Sequence, residues 1–430
     1  MKKNLLLFAF IALLSLGCQK FPQLLGPSDF LDTDNPGWET AFRGFWVGMN
    51  YNYVFWDIDP TNWDDIYTAF RPRFAALDAS GLNAQEKFKQ ARQYFVEMTE
   101  NLIDGHFVLM LEGDLQGISP SMQRFFRQFG ACFYDDSTWE ASGVLRSEII
   151  EGDYSYATHF HNLLTTNHLR SGALRVQAPN VGGSEYINNF NAIVGRIPLP
   201  GNTEYSILYM HFSDFHWTEI LRRVNAGATS YYSQAAAVFT YFYENLHNQD
   251  VKGVIVDLRG NGGGRISDLS LLWGQMFSAQ THKIGYTRQM MGEGRLHFAP
   301  LIPFTILNTS QTRRNLTVPL VLLTNNFSVS AAEMSALFVR SLPNGFLVGS
   351  STWGGTGALI SNYVFNAGQF QTHKIQLAYT ASVQTLDLNR RSFEGRGIPP
   401  DFYVPFNYQQ FSSGVDARIK KAIEVITNNQ

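Results

Sequence analysis

The chain has 430 residues, 45% of them apolar and 16% charged, with a formal net charge of -3. A chain of this length and composition buries a sizeable core in two or three folding units, which excludes wholesale disorder. Its lysines and arginines are scattered and not in excess, so the electrostatic footprint of a nucleic-acid binder is missing.

The chain begins "MKKNLLLFAFIALLSLGCQK". Two lysines, an apolar stretch from Leu5 to Leu16 and then Gly17-Cys18 have the layout of a secretory signal peptide, and the apolar part is too short for a permanent span. With Leu14-Ser15-Leu16 ahead of it, Gly17-Cys18 resembles a bacterial lipoprotein signal. That resemblance implies lipidation at Cys18 and an exported protein tethered to a membrane of the cell envelope; the alternative is an ordinary signal peptide that takes Cys18 with it. The one other cysteine, Cys132, sits in the aromatic stretch "FGACFYDD" and reads as a small buried hydrophobe.

Residues 1–18 are therefore expected as signal peptide and 19–36 as linker. Residues 37–125 read as a helical domain, with apolar residues at helical spacing in "WETAFRGFWVGMNYNYVFWDI", "NWDDIYTAFRPRFAAL" and "AQEKFKQARQYFVEMTENLI". Asn62 is placed to cap the second of these helices. The aromatic density, from Phe42 to Tyr67, reads as core rather than as a sugar-stacking platform. Residues 126–225 break into short β-rich runs, "GALRVQA", "NAIVGRIPL" and "EYSILYMHFSDF", and suggest a small β module. From 226 to 430 strands alternate with helices, the pattern of a buried sheet flanked by helices.

Two strand-to-helix junctions carry the candidate chemistry. In "VIVDLRGNGGGRISDL" a glycine-rich turn, Gly260 to Gly264, follows a buried strand and leads to a helix, a geometry suited to an anion or oxyanion. Neither GxGxxG nor GxxxxGK[ST] spacing is met, and a phosphate cradle needs a cation aimed into the turn, for which Arg265 is the near candidate. In "VLLTNNFSVSAAEMSAL" Ser328, Ser330 and Ser335 are the candidate hydroxyls. The alternative reading is that Ser328 or Ser330 only caps the helix, since Glu333 follows Ser330 at capping-box spacing. Placed on adjacent strands, the two junctions bring a hydroxyl and an oxyanion pocket to one sheet edge. His159-Phe160-His161 lacks a third ligand, so no metal is expected.

The blocks "DLRGNGGG", "VLLTNNFSVSAAE", "GSSTWGGTGA" and "EGRGIPPD" occur in the order and at about the spacings of the C-terminal processing, or tail-specific, serine peptidases, whose relatives include the tricorn core protease. The resemblance covers residues 250 to 405 and implies a ClpP/crotonase-like α/β core in a multi-domain α/β protein, with no metal or cofactor. It implies Ser330 as nucleophile and the backbone amides of Gly262 or Gly263 and of Ala331 as oxyanion donors. The lysine base of the tail-specific enzymes falls at Gly355, so a Ser-Lys dyad is ruled out there. The tricorn-like branch uses a histidine, and the matching block is Asp104-Gly105-His106, which makes His106 the candidate base. The serine that precedes the histidine in that branch is Gly105 here. Glu394 matches the branch's glutamate, either orienting His106 directly or through water, or forming an ion pair with Arg396. Asp401 is expected to fix a turn, and Asp257 and Arg259 to hold the glycine-rich turn.

The expected function is a serine-type peptidase acting on envelope peptides or proteins. The rival is a catalytically inactive relative that binds a peptide or hydrophobic ligand as a lipoprotein, because the resemblance extends to retinoid-binding members.

Overall fold

A computed structural model describes residues 37–114, 117–121, 169, 173–176, 190–200, 205–228, 231–291, 294–359 and 368–430. Cys18, Cys132 and the His159-Phe160-His161 run lie outside the described residues, as does most of the stretch expected as a β module. Among the described residues no helix is long and apolar enough to cross a membrane.

Three helices open the described chain: α1 (Trp38–Asn52), α2 (Trp63–Ala79) and α3 (Ala84–Thr99). Asn62 caps α2 by accepting from the amides of Asp64 and Asp65, and Asn83 forms a capping box with Glu86 at the start of α3. The aromatic residues of this region are core, as their spacing predicts. Phe42 stacks on Phe74, and Phe45 meets Trp63 and Phe95 edge-on. This core is not made by residues 37–125 alone. Strand β1 (Val108–Leu111) pairs antiparallel with β11 (Ile375–Tyr379), which pairs in turn with β10 (Gln369–Thr372), and Phe370, Ile375, Ala378 and Ala381 fill the same cluster as the helices.

The central feature is a seven-stranded sheet. Its members are β2 (Leu174–Val176), β3 (Ala192–Ile197), β4 (Ile207–Phe212), β5 (Gly253–Asp257), β8 (Leu320–Thr324), β9 (Gly345–Gly349) and β13 (Phe402–Tyr403), in the order β13-β9-β8-β5-β4-β3-β2. The strands from β4 to β13 pair in parallel, and β2 and β3 extend the sheet antiparallel. Strands β2, β3 and β4 are thus part of the core sheet, and the boundary expected at residue 226 cuts across it. The cause is a pairing that the sequence does not announce: β4 hydrogen-bonds to β5 across two intervening helices, α4 (Trp217–Asn225) and α5 (Tyr231–Asn245).

Both faces of the sheet are covered, which is why its strands read as continuous apolar runs. Val254, Val256, Leu320 and Leu322 point to one face, with α5, α6 (Ser267–Trp273) and α7 (Ala331–Arg340). Ile255, Val321 and Leu323 point to the other and pack on α9 (Ala417–Asn428), which follows the short α8 (Tyr408–Ser412). A second small sheet, β6 (Thr281–Gln289) between β7 (Ile302–Leu307) and β12 (Val383–Leu386), flanks this body. Arg288 on β6 pairs with Asp57, tying the small sheet to the helical region.

Candidate active site

Strands β5 and β8 are parallel neighbours, so the turns after them emerge side by side at the carboxyl edge of the sheet. Hydrogen bonds stitch the turns together. Gly260 N–H donates to Asn325 Oδ1 (3.0 Å), Ser328 Oγ donates to the Leu258 carbonyl (2.8 Å) and Val329 N–H donates to the Asn261 carbonyl (2.9 Å). Beneath them Asp257 and Arg259 form a buried ion pair that Asp416 extends. Asp401 accepts from Leu347 N–H and fixes β13 beside β9.

The three candidate serines have different fates. Ser328 is fully buried, and its hydroxyl also accepts from Asn325 N–H (3.0 Å). Ser335 is buried within α7, donating to the Ala331 carbonyl and accepting from Trp273 Nε1. Ser330 stands at the mouth of α7 with φ 56° and ψ −113°, a backbone conformation that L residues seldom adopt and that clusters at functional sites. Gly263 packs directly on it: a Cβ at 263 would come within 2.7 Å of Ser330 Cβ.

The structure assigns the glycine-rich turn a different part from the one expected. Gly262 N–H donates to the Ser213 carbonyl (3.1 Å) and Gly263 N–H to Asn261 Oδ1 (2.9 Å). Both amides are engaged, so the turn's contribution is close approach to Ser330 rather than oxyanion donation. The Ala331 N–H differs: as the first residue of α7 it has no acceptor within the helix and sits at the positive end of the helix dipole. Arg265 does not serve the turn. Its side chain is 54% exposed and lies 3.9 Å from Glu219.

His106 arrives from the segment between α3 and β1. Its backbone N–H donates to Asp104 Oδ1 (2.7 Å), and Asp104 Oδ2 accepts from Ala381 N–H (2.8 Å), so the fully buried Asp104 ties this turn to the connection between β11 and β12. Glu394 holds the next residue: its Oε1 accepts from Gly105 N–H (2.8 Å), and its Oε2 from Thr356 Oγ1 (2.9 Å) and Gly357 N–H (2.7 Å). Asp104, His106 and Glu394 bring a ring nitrogen and carboxylate oxygens within 4.8 Å of one another. Because both carboxylates already accept from protein donors, the cluster fits a frame for the imidazole better than a cation cage. Among the described residues His106 Nδ1 is buried without a hydrogen-bond partner, and burial pushes the imidazole down to about 4. Burial, reinforced by the nearby Asp104 charge, raises the Glu394 carboxyl well above the ordinary range.

The block 352–357 joins these parts. Trp353 N–H donates to the Ser328 carbonyl (3.1 Å). A Cβ at Gly355 would lie 3.3 Å from His106 Cε1, so the imidazole occupies space beside the position where a lysine would be needed for a Ser-Lys dyad. Glu333 is the residue that sequence reasoning passed over as a cap. It is fully buried, and its Oε2 accepts from both Ser330 N–H (3.1 Å) and Gly355 N–H (2.7 Å). Glu333 and His106 therefore both border Gly355, and Glu333 links that residue to the Ser330 backbone. No hydrogen bond joins Ser330 to His106 among the described residues; such contacts commonly tighten only with substrate in place.

A serine held in this conformation at a helix mouth, on the carboxyl edge of a parallel sheet, is an arrangement that can present a hydroxyl for nucleophilic chemistry in an α/β fold. Residues 206–404 match the model of peptidase family S41. The chain is 25% identical over 174 residues to the tricorn protease of Thermoplasma volcanium, covering 40% of this chain and 14% of that protein. It is 26% identical over 145 residues to the nisin-resistance protein of Lactococcus lactis, covering 32% of this chain and 44% of the relative. The chain thus spans less than half the length of these curated relatives. Two solved structures share the fold over almost the whole chain. A candidate peptidase of Parabacteroides merdae is 20% identical with a TM-score of 0.61, covering 91% of this chain and 97% of its own. Mature CPAF, solved in complex with lactacystin, is 12% identical with a TM-score of 0.56, covering 91% and 99%.

Proposed function

We propose that this protein hydrolyses peptide bonds with Ser330 as nucleophile and His106 as general base. The observation that supports this best is the strained Ser330 at the mouth of α7, linked through Glu333 and Gly355 to a half-buried, neutral imidazole. Ser330 Oγ attacks the peptide carbonyl carbon as His106 takes the hydroxyl proton, forming a tetrahedral intermediate. Its oxyanion is stabilised by the Ala331 N–H and the amino end of α7. The imidazolium, beside Asp104 and Glu394, then protonates the leaving amine. Water attacks the acyl-enzyme by the same route in reverse. A low imidazole pKa keeps His106 neutral, and able to accept a proton, throughout the neutral range.

Export with lipidation at Cys18, attachment to an envelope membrane and peptide or protein substrates from that compartment belong to the same proposal. Their support is the amino-terminal sequence together with the peptidase family match.

The test is labelling of the purified protein with a fluorophosphonate probe, followed by mass spectrometry, beside Ser330→Ala and His106→Ala. Modification of Ser330 that both variants abolish while remaining folded is the expected result. A folded parent protein that stays unmodified from about pH 6 to 9, the range around histidine titration, overturns the peptidase proposal and favours the ligand-binding alternative.

A further inference from the structure

Glu333 makes more contacts than a helix cap requires. A capping carboxylate accepts from the N-cap amide, here Ser330 N–H. Glu333 accepts three further hydrogen bonds, from Gly355 N–H on the same Oε2, and from Thr352 Oγ1 (2.7 Å) and Gly354 N–H (2.8 Å) on Oε1. Four donors on one carboxylate match the ionised form, which is acceptor-only. A protonated carboxyl would turn an O–H toward one of these donors and lose that bond.

The donors come from two separate parts of the site. One is the backbone of Ser330 in its unusual conformation; the other three belong to 352–355, the segment that borders the His106 ring at Gly355. Thr352 Oγ1 also accepts from Ile398 N–H (2.7 Å), so the same network reaches the block that carries Glu394. The titratable groups around the carboxylate are His106, beyond Gly355, and Glu394, which feels the Glu333 charge and stands with Asp104 beside His106. Among the described residues no cationic side chain is hydrogen-bonded to Glu333, so its charge is held by these four donors alone.

We infer that Glu333 is a positioning residue of this site: its ionised carboxylate fastens the Ser330 backbone to residues 352–355 and so sets the serine relative to the His106 imidazole. The inference rests on the assignment of Ser330 and His106 proposed above. Burial pushes the Glu333 carboxyl up to about 7 against the pull of its four donors. The group then gains a proton as the pH falls through about 7, well before His106 does at about 4, and the acid side of the activity profile reports Glu333.

The experiment measures the second-order rate of fluorophosphonate modification of Ser330 from pH 5.5 to 9, in the purified parent protein, in Glu333→Gln and in Thr352→Val. The parent is expected to slow as the pH drops through about 7. Glu333→Gln keeps the shape but presents an NH2 group to two of the donors. It is expected to react roughly 10- to 100-fold more slowly at pH 8, the scale of loss that small misplacements at an active site produce, and to show no step near pH 7. Thr352→Val removes one donor to the charged carboxylate, which raises the carboxyl pKa, so its step is expected at higher pH than in the parent. This second variant keeps the test open if Glu333→Gln does not fold. A parent that reacts, with Glu333→Gln matching its rate or Thr352→Val leaving its step unmoved, overturns this inference alone. A parent that is unreactive at every pH removes the Ser330 assignment, and this inference with it.

Discussion

Gly105 and Gly355 pack backbone against backbone: a Cβ on Gly105 would come within 2.6 Å of Gly355 Cα. These are the two positions at which the chain departs from the catalytic residues that its family resemblance suggests, and the structure makes one departure the counterpart of the other. A serine at 105 has no room while Gly355 keeps its place, and any side chain at 355 intrudes on the His106 ring. Gly355→Ala places a methyl group 3.3 Å from His106 Cε1, closer than most such contacts, so the ring must shift by a few tenths of an ångström. The expected result is a kcat reduced about 10-fold or more with KM little changed, because the defect lies in the proton-transfer geometry. Gly105→Ser is expected to be worse, since backbone must move, and to lower stability as well. Steady-state kinetics with thermal melts separates the two effects.

The three donors on Glu394 lead to a second prediction. Gly105 N–H is on one oxygen, and Thr356 Oγ1 and Gly357 N–H are on the other. Glu394→Gln sets an NH2 group against a donor whichever way the amide is turned, and the turn bearing His106 loses its anchor or the 356–357 turn does. Activity is expected to fall at least 10-fold while the protein stays folded. Glu394→Ala leaves all three donors unpaired in a buried place, at a cost of about 1–3 kcal/mol for each donor that finds no water. A Glu394→Gln variant with parental kcat would show that Glu394 plays no part in placing His106.

Ser328 and Ser330 are two residues apart and should respond in opposite ways. Ser328→Ala removes a buried hydroxyl that links the Leu258 carbonyl to Asn325 N–H, and is expected to cost about 1–3 kcal/mol of stability while retaining measurable activity. Ser330→Ala should abolish activity at little cost in stability. Ser330→Gly should be equally inactive yet about 1 kcal/mol more stable, because glycine accepts a φ of 56° without the penalty a side chain incurs. Urea denaturation of the three variants against the parent checks the order; a destabilised Ser330→Gly would contradict the strain argument.

How much of this was legible in the sequence depended on the range of the interaction. The strand-turn-helix junctions after β5 and β8 are local, and hydrophobic runs with glycine and serine punctuation disclose them. The choice of Ser330 and His106 came from block order, a memory of fold that spacing carries even when the intervening chain varies. What stayed hidden is long-range. Nothing near Val108 indicates that it pairs with Tyr379, and nothing near Ile207 that its strand joins β5. Glu333 was visible only as a cap, because three of its four donors lie about twenty residues away along the chain. Gly262 and Gly263 looked like free amides because their acceptors, the Ser213 carbonyl and the Asn261 side chain, depend on how the turn folds.

His106 and Glu333 are perturbed in opposite directions, with opposite consequences for stability. Burial lowers His106 from 6.5 to about 4, so the unfolded chain binds the proton more tightly; this contribution is present above 6.5 and is lost as pH falls to about 4. Burial raises Glu333 from 4.5 to about 7, so the folded state binds the proton more tightly; this contribution is present below 4.5 and is lost as pH rises to about 7. Each amounts to roughly 3 kcal/mol at most by the ordinary conversion of a pKa change to free energy, and between pH 4.5 and 6.5 the two nearly cancel. Removing one exposes the other. Relative to the parent, His106→Asn is expected to gain stability as the pH is lowered from 6.5 to 4, and Glu333→Gln as it is raised from 4.5 to 7. Urea midpoints across that range give the test, and curves parallel to the parent's would show that neither group is perturbed by folding. The same signs place activity, which requires a neutral His106 and an ionised Glu333, above pH 7, where the buried Glu333 charge costs the fold most.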